Sequence, residues 1–183
     1  QKTEILADAG AYASTTSYVV SSTVLLSTGP YEVENVWLDG QAVFTNNITS
    51  GAFRGFGVPQ AVFAAELQMA RLAEALDMDP VELRMRNLVR EGSLTGTMME
   101  VMPKCSARET LDAAAQAAGW TLSSDTWERN RVSREVRHGV LRGMGIASGW
   151  KNIGYTLGFP EASTATVELY GETEINRVVV RLP

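Results

Sequence analysis

The chain has 183 residues, of which 45% are hydrophobic and 20% charged, enough for one domain with a substantial core or for two smaller lobes. Its 16 lysine and arginine residues against 21 aspartate and glutamate residues give a formal net charge of -5. This acidic balance argues against a nucleic-acid partner or an anionic membrane partner. A single cysteine and a single histidine exclude a disulfide framework and a zinc site built from this chain alone.

The two ends of the sequence are typical of an internal section of a longer polypeptide. The chain begins at Gln1 without an export signal, and residues 175–183 still have the pattern of a strand where the sequence stops. No apolar run approaches the roughly 20 residues of a membrane-spanning helix, so we expect no membrane partner. The missing signal and the low cysteine content favour a cytoplasmic protein.

The first fifty residues predict strands. Three segments are rich in valine, leucine, threonine and aromatic residues, which favour β-structure: residues 4–7, 18–26 and 36–44. Asp39-Gly40 lies between apolar pairs and is typical of a two-residue hairpin turn, because both residues accept a positive φ.

The middle of the chain predicts helices, and its end predicts strands again. Helical patterns and end signals cover four segments: residues 61–76, 80–91, 106–118 and a short one at 126–132. Pro59 suits the first turn of the first helix, and Asp79 caps the second in a capping box with Glu82. Further strands are expected at residues 140–147, 164–170 and 175–181, the last two forming a hairpin. The predicted fold class is α+β, with strands at both ends and a helical middle.

Common catalytic arrangements find little support in the sequence. His138 lies in a charged stretch and is expected to be a solvated surface residue. Cys105 lies beside a helix N-terminus, which could activate a thiol, although a buried structural thiol is the favoured interpretation. The glycine cluster at residues 143–149 lacks the spacing and the following helix of a dinucleotide-binding loop.

The segment at residues 49–60 is the most informative for function. Its glycines permit unusual turns and leave room for a ligand against the main chain. Arg54 lies between Phe53 and Phe56, so we expect it to be half-buried and to need an anionic or carbonyl partner. The segment ends at a helix N-terminus, where free N–H groups favour anions. Two interpretations stay open: a cradle for a planar, oxygen-rich or phosphorylated ligand, and a glycine-rich turn whose arginine bridges to a core carboxylate.

The sequence Ala52-Phe53-Arg54-Gly55-Phe56-Gly57, followed by Pro59-Gln60, resembles the molybdopterin-contacting loop of the xanthine dehydrogenase and aldehyde oxidase family. Further segments resemble that family in the same order along the chain: Asp8-Ala9-Gly10-Ala11-Tyr12, Gly29-Pro30-Tyr31, Val43-Phe44-Thr45-Asn46, Leu83-Arg84-Met85-Arg86-Asn87-Leu88, Glu91-Gly92, Arg142-Gly143-Met144-Gly145, Gly149-Trp150-Lys151-Asn152 and Ala165-Thr166-Val167-Glu168-Leu169.

The resemblance implies a domain organisation within a larger molybdopterin-binding subunit. Residues 1–135 would form part of the first molybdopterin-binding domain. Within it, a β segment would occupy residues 1–50, the cofactor loop residues 51–60, and helices residues 61–135. Residues 136–183 would begin the second molybdopterin-binding domain.

The resemblance also assigns roles to individual residues. Arg54, with Phe53 and Gly55, is expected to contact the pterin cofactor. Phe56 corresponds to the aromatic residue that packs against the substrate, and Tyr155 falls near a second substrate-facing aromatic residue. The family's catalytic glutamate and its Gly-Gln-Gly loop have no counterpart in this sequence, so the chain is expected to hold no catalytic residue and no metal ligand, and to be inactive by itself. No basic residue lies within residues 21–26, where purine-oxidising members carry a substrate-orienting arginine.

The function implied is that of a molybdenum hydroxylase, which inserts a water-derived oxygen into a C–H bond of an aldehyde or N-heterocycle. Electrons would pass through two [2Fe–2S] clusters to FAD or another acceptor. The expected partners are the rest of the large subunit, the iron–sulfur and FAD subunits or domains, and the small substrate. Three alternatives stay open: a non-catalytic α+β interaction module, a cofactor-free paralogue, and a member similar to carbon monoxide dehydrogenase.

Overall fold

The computed structural model describes residues 1–129, 139, 143–152 and 162–182. It divides into two compact units, Gln1–Lys151 and Asn152–Pro183. The helices and strands are, in chain order, β1 (Lys2–Gly10), α1 (Thr16–Leu25), β2 (Trp37–Phe44), α2 (Val58–Ala75), α3 (Pro80–Asn87), α4 (Ala107–Ala117), β3 (Thr121–Ser123), β4 (Thr126–Glu128), β5 (Thr166–Gly171) and β6 (Ile175–Arg181). The predicted α+β class is confirmed.

The N-terminal part of the first unit is a strand–helix–strand arrangement. β1 and β2 pair in parallel, with Lys2 opposite Trp37 and Asp8 opposite Val43, and α1 forms the crossover between them. The predicted hairpin at Asp39-Gly40 is therefore wrong, because both residues lie inside β2. A Cβ atom on Gly40 would lie 2.4 Å from Cγ2 of Val24 in α1, so the glycine allows the helix to pack closely on the sheet.

The predicted strand at residues 18–26 is also wrong, because α1 occupies this segment. The buried residues of α1 are Thr16, Val20 and Thr23. Their spacing places them on one face of a helix, and that face packs against the rest of the unit. The valine and threonine content favours a strand locally, but burial of this helical face outweighs the local preference.

The starts predicted for the first three helices of the middle of the chain are confirmed. Pro59 lies in the first turn of α2, and α3 begins with Pro80 after the cap residue Asp79. Asp79 Oδ1 accepts hydrogen bonds from the N–H of Val81 at 2.8 Å and of Glu82 at 3.3 Å. These two bonds satisfy N–H groups that have no partner within the helix.

Glu82 does not complete the capping box. Its Oε2 accepts the N–H of Trp127 at 2.8 Å, and its Oε1 pairs with Arg86 Nε at 2.5 Å. Burial raises the pKa of this carboxyl, but the hydrogen bonds from Trp127 and Arg86 outweigh burial and lower the pKa overall. Glu82 therefore joins α3 to β4.

Two further differences lie after α3. The helix ends at Asn87, earlier than predicted, because Leu88 leaves it to form a β-bridge with Tyr31. The short helix predicted at residues 126–132 is instead the antiparallel pair β3–β4 over residues 121–128. Its turn residues Ser124 and Asp125 have φ values of 48° and 63°, the left-handed conformation of a tight hairpin turn.

The hydrophobic core lies among α2, α3, α4 and the β3–β4 hairpin. Its buried members are Tyr31, Met69, Ala73, Val81, Leu83, Met85, Leu88, Leu111, Ala115, Trp120 and Trp127. Ile146, from the segment after the hairpin, packs against this core. The core therefore holds together the helical part of the unit.

A buried ionic cluster fixes α2 against α3. Arg84 Nε lies 2.8 Å from Glu66 Oε2, and the two side chains are 1% and 7% exposed. The hydroxyl of Tyr31 donates to the other carboxylate oxygen at 2.5 Å. Burial and the neighbouring Glu66 raise the pKa of Tyr31, so this phenol stays protonated and acts as a donor.

The second unit contains the predicted C-terminal hairpin. β5 and β6 pair antiparallel, with Val167 opposite Val180. The sequence predicts a strand at residues 140–147. The structure describes residues 143–147 of this segment, and they do not form a strand. In the parts of the chain that the structure describes, no helix is both long and apolar enough to cross a membrane.

We predict that Arg84→Met lowers the free energy of unfolding by about 3–5 kcal/mol, because it leaves the Glu66 carboxylate buried without its positive partner. Urea unfolding, followed by tryptophan fluorescence, measures this change. Lys2→Ala is the control. It breaks the solvent-exposed pair between Lys2 and Glu4 and should cost less than about 1 kcal/mol. Equal losses in the two variants would contradict the prediction.

Candidate functional site: the glycine loop before α2

The glycine loop, residues 51–57, has an uncommon backbone. Gly55, Phe56 and Gly57 have φ values of 93°, 54° and 85°. Phenylalanine rarely adopts this left-handed conformation, so the surrounding contacts must hold it there. The Phe56 N–H donates to the carbonyl of Phe53 at 2.8 Å, and the Val58 N–H donates to the carbonyl of Gly55 at 3.1 Å. Two successive turns therefore lead directly into α2.

Gly57 allows the loop to lie directly on α1. A Cβ atom at this position would lie 2.2 Å from Thr23 Oγ1 and 2.6 Å from the carbonyl oxygen of Val19. Gly55 is equally restricted, since its Cβ would lie 2.5 Å from Cγ of Pro59. Both glycines are therefore required by close contacts as well as by their positive φ values.

The side chains of the loop face outward. Phe53 is 88% exposed, Arg54 is exposed, and Phe56 is partly buried. Among the described residues, Arg54 makes no hydrogen bond and no ion pair. The expected half-burial of Arg54 is wrong, because the turn packs Gly57 rather than Arg54 against α1. A bridge from this arginine to a core carboxylate is likewise not present in the described part of the chain.

Several main-chain N–H groups of the loop have no acceptor within the described residues, and two of them, on Arg54 and Gly55, belong to residues that are not buried. Within the described residues, the N–H groups of Arg54, Gly55 and Gly57 donate to no protein acceptor. They lie immediately before the N-terminus of α2, where the helix dipole also favours negative charge. The loop thus combines an exposed guanidinium with free N–H groups and could bind an anionic or oxygen-rich group.

Asp8 holds the chain segment that leads into the glycine loop. Its carboxylate accepts hydrogen bonds from Thr45 Oγ1 at 2.6 Å, from Asn47 Nδ2 at 2.5 Å and from the N–H of Gly10 at 2.8 Å. The bonds from Thr45, Asn47 and Gly10, in that order of effect, lower the pKa of Asp8. Sequence reasoning assigned Asp8 no role of its own, although an aspartate two residues before a glycine is a known turn signal.

The remaining predicted site residues are not brought together with the loop. Cys105 is half-buried next to the start of α4. Tyr155 and His138 lie outside the described residues. Residues 1–129, 139, 143–152 and 162–182 contain no group of three or more histidine, cysteine, aspartate or glutamate side chains that could hold a metal ion.

Known proteins resemble this chain in both fold and sequence. Residues 1–88 match the family described as the molybdopterin cofactor-binding domain. The chain is 44% identical over 115 residues to the nicotinate dehydrogenase large molybdopterin subunit of Eubacterium barkeri, covering 63% of this chain and 27% of that protein. It is 35% identical over 147 residues to an aldehyde oxidoreductase of Megalodesulfovibrio gigas, covering 79% of this chain and 15% of that protein. The crystal structure of the aldehyde oxidoreductase from Desulfovibrio desulfuricans superposes with a TM-score of 0.56 at 34% identity, covering 64% of this chain and 13% of that one.

Residues 1–88 therefore match the sequence of a molybdopterin cofactor-binding domain. The resemblance to xanthine dehydrogenase and aldehyde oxidase proteins is confirmed. The chain spans 27% or less of the length of the relatives named above.

We predict that Gly57→Ala destabilises the fold by about 1–3 kcal/mol more than Gly92→Ala, because only the first introduces an overlap with packed atoms. Gly92 is the matched control: its φ is +79°, close to the +85° of Gly57, but an added Cβ would meet nothing within 4 Å. Urea unfolding of both variants measures the difference. Equal destabilisation would mean that the contact with α1 is not tight.

We also predict that Asp8→Asn reduces the acid sensitivity of the fold. The pKa of Asp8 lies below its usual value of 3.8 in the folded chain, so the ionised carboxylate stabilises the fold above that pH. This stabilisation is lost as the pH falls through the lowered pKa. The difference in unfolding free energy between pH 7 and pH 3 should therefore shrink in Asp8→Asn. Gln41→Ala, on the neighbouring strand, should keep the original difference, and an unchanged Asp8→Asn profile would contradict the prediction.

Proposed function

We propose that the glycine loop binds the molybdopterin cofactor of a molybdenum hydroxylase. The observation that carries this proposal is the exposed Arg54, which makes no hydrogen bond or ion pair among the described residues and lies beside the unpaired N–H of Gly55. Glycine at positions 55 and 57 allows the tight turn that leaves Arg54 exposed at the N-terminus of α2, where negative charge is favoured. The residues present therefore fit the group that the family implies.

Each residue of the loop has a distinct part in this proposal. Arg54 holds an anionic or carbonyl oxygen of the cofactor, and Phe53 and Gly55 contact the cofactor beside it. Phe56, whose left-handed backbone is held by the surrounding contacts, presents a flat apolar face to an aromatic substrate. Tyr155, which lies outside the described residues, is assigned to the substrate by the resemblance alone.

The chemistry of the reaction comes from the cofactor. When bound, it supplies the redox step of a hydroxylation that places a water-derived oxygen on a C–H carbon of the substrate. The chain contributes binding, orientation and positive charge. An aldehyde or N-heterocyclic substrate is supported by relatives that are named an aldehyde oxidoreductase and a nicotinate dehydrogenase.

The proposal extends to the organisation of the whole protein. One relative is named a large molybdopterin subunit, which supports an enzyme of several subunits. We propose that the partners are the rest of the large subunit and iron–sulfur and FAD subunits or domains. The same proposal divides the chain into a first domain at residues 1–135 and a second from residue 136. It also includes a cytoplasmic location.

We predict that Arg54→Ala in the complete subunit weakens cofactor retention about 10- to 100-fold, the usual worth of a hydrogen bond to a charged group. Molybdenum and pterin content, measured after purification from the native host, reports the loss. Arg71→Ala, an exposed arginine further along α2, is the control and should retain the cofactor.

The same measurement separates the proposal from its alternatives. Full molybdenum content in Arg54→Ala would show that this arginine does not hold the cofactor. Absence of metal and pterin from the unmodified subunit would favour a non-catalytic interaction module or a cofactor-free paralogue instead.

A further inference from the structure

We propose that threonines of α1 are positioning residues that set the place of the glycine loop, and through it the orientation of Arg54. The inference rests on the proposed function for its link to the cofactor. Its geometric part, the attachment of the loop to α1, can be tested without any cofactor.

The start of the loop is attached to the first turn of α1. Thr15 Oγ1 accepts the N–H of Ala52 at 2.7 Å, and Thr16 Oγ1 donates to the carbonyl of Ser50 at 2.9 Å. The two adjacent hydroxyls therefore bind the carbonyl just before Gly51 and the N–H just after it. This arrangement fixes the direction in which the chain enters the loop.

The end of the loop is attached two helical turns further along α1. Thr23 Oγ1 lies 3.1 Å from the carbonyl oxygen of Gly57 and 2.7 Å from that of Val19, so its single proton is shared between them. Thr16 and Thr23 are 5% and 8% exposed. Since they are seven residues apart, they lie on the same face of α1, about 10 Å apart along the axis.

Between these two attachments the hydrogen bonds of the loop are internal. Its internal hydrogen bonds are those from Phe56 to Phe53 and from Val58 to Gly55. The exposed side chains of Phe53 and Arg54 lie in this middle part. The orientation of Arg54 therefore depends on where α1 holds the two ends of the loop.

The hydroxyl groups, rather than the volumes of the side chains, carry this role. Valine has nearly the shape of threonine but cannot donate or accept a hydrogen bond. Thr23→Val would keep the packing of α1 while removing the donor to Gly57. Thr23→Ser would lose a methyl group but keep that donor.

The test is amide hydrogen exchange on the 183-residue chain. Thr23→Val should speed exchange at the N–H of Phe56 and Val58 about 2- to 10-fold, the effect of losing one ordinary hydrogen bond. Thr23→Ser should restore the slow rate. Thr110→Val is the matched control, because Thr110 makes the same kind of bond to carbonyls of its own helix start but contacts no part of the loop.

A second variant tests the other end of the loop. Thr15→Val removes the acceptor of the Ala52 N–H, and because Thr15 is only partly buried this variant should fold. The Ala52 amide should then exchange faster, while the amides of α4 keep their rates. Unchanged exchange in both Thr23→Val and Thr15→Val would overturn the positioning role, whatever the cofactor content.

The link to the cofactor is tested separately in the complete subunit. Thr23→Val should retain about 2- to 10-fold less pterin than Thr110→Val, with melting temperatures that agree, and Thr23→Ser should recover the retention. Faster exchange with undiminished pterin would overturn the link to the cofactor. Loss of pterin in Arg54→Ala but not in Thr23→Val would also overturn the link between Thr23 and the cofactor. The proposed function would then still stand.

Discussion

The close contact between Gly57 and α1 is the constraint on which the rest of the site depends. It joins the strand–helix–strand arrangement to the start of α2, and it is possible only without a side chain at position 57. The carbonyl of Val19 and the hydroxyl of Thr23 occupy the space that a Cβ would need. Because the loop is fixed there, its middle part turns outward, and Arg54 reaches solvent instead of the core.

A buried ion pair also holds α2, further along the helix. Glu66 and Arg84 form a buried pair, and Tyr31 satisfies the second carboxylate oxygen. Removing two charges from water is costly, so such a cluster adds less to stability than to the choice of one helix arrangement. α2 is therefore held by α1 near its start and by α3 further along, and the glycine loop leads into the end held by α1.

This arrangement suits a division of labour between the chain and a cofactor. In the proposed function the loop contributes positive charge and N–H groups, and the cofactor supplies the reaction chemistry. Binding through a cation and main-chain donors places a ligand without reacting with it. Phe56 is held by its neighbours in a left-handed conformation that phenylalanine rarely adopts.

The sequence by itself determined the features that depend on a few neighbouring residues. Asp79 before Pro80 specifies the start of α3, since a carboxylate cap and a proline act within one turn. The glycine loop was also recognisable, because its glycines permit backbone conformations that other residues rarely adopt. Tertiary structure decided the rest. α1 forms a helix although its β-branched residues favour a strand, and Gly40 lies inside a strand rather than in a turn, because each is set by packing between distant segments. The outward direction of Arg54 has the same origin: local sequence encodes which backbone conformations are allowed, whereas contacts between remote segments select one of them.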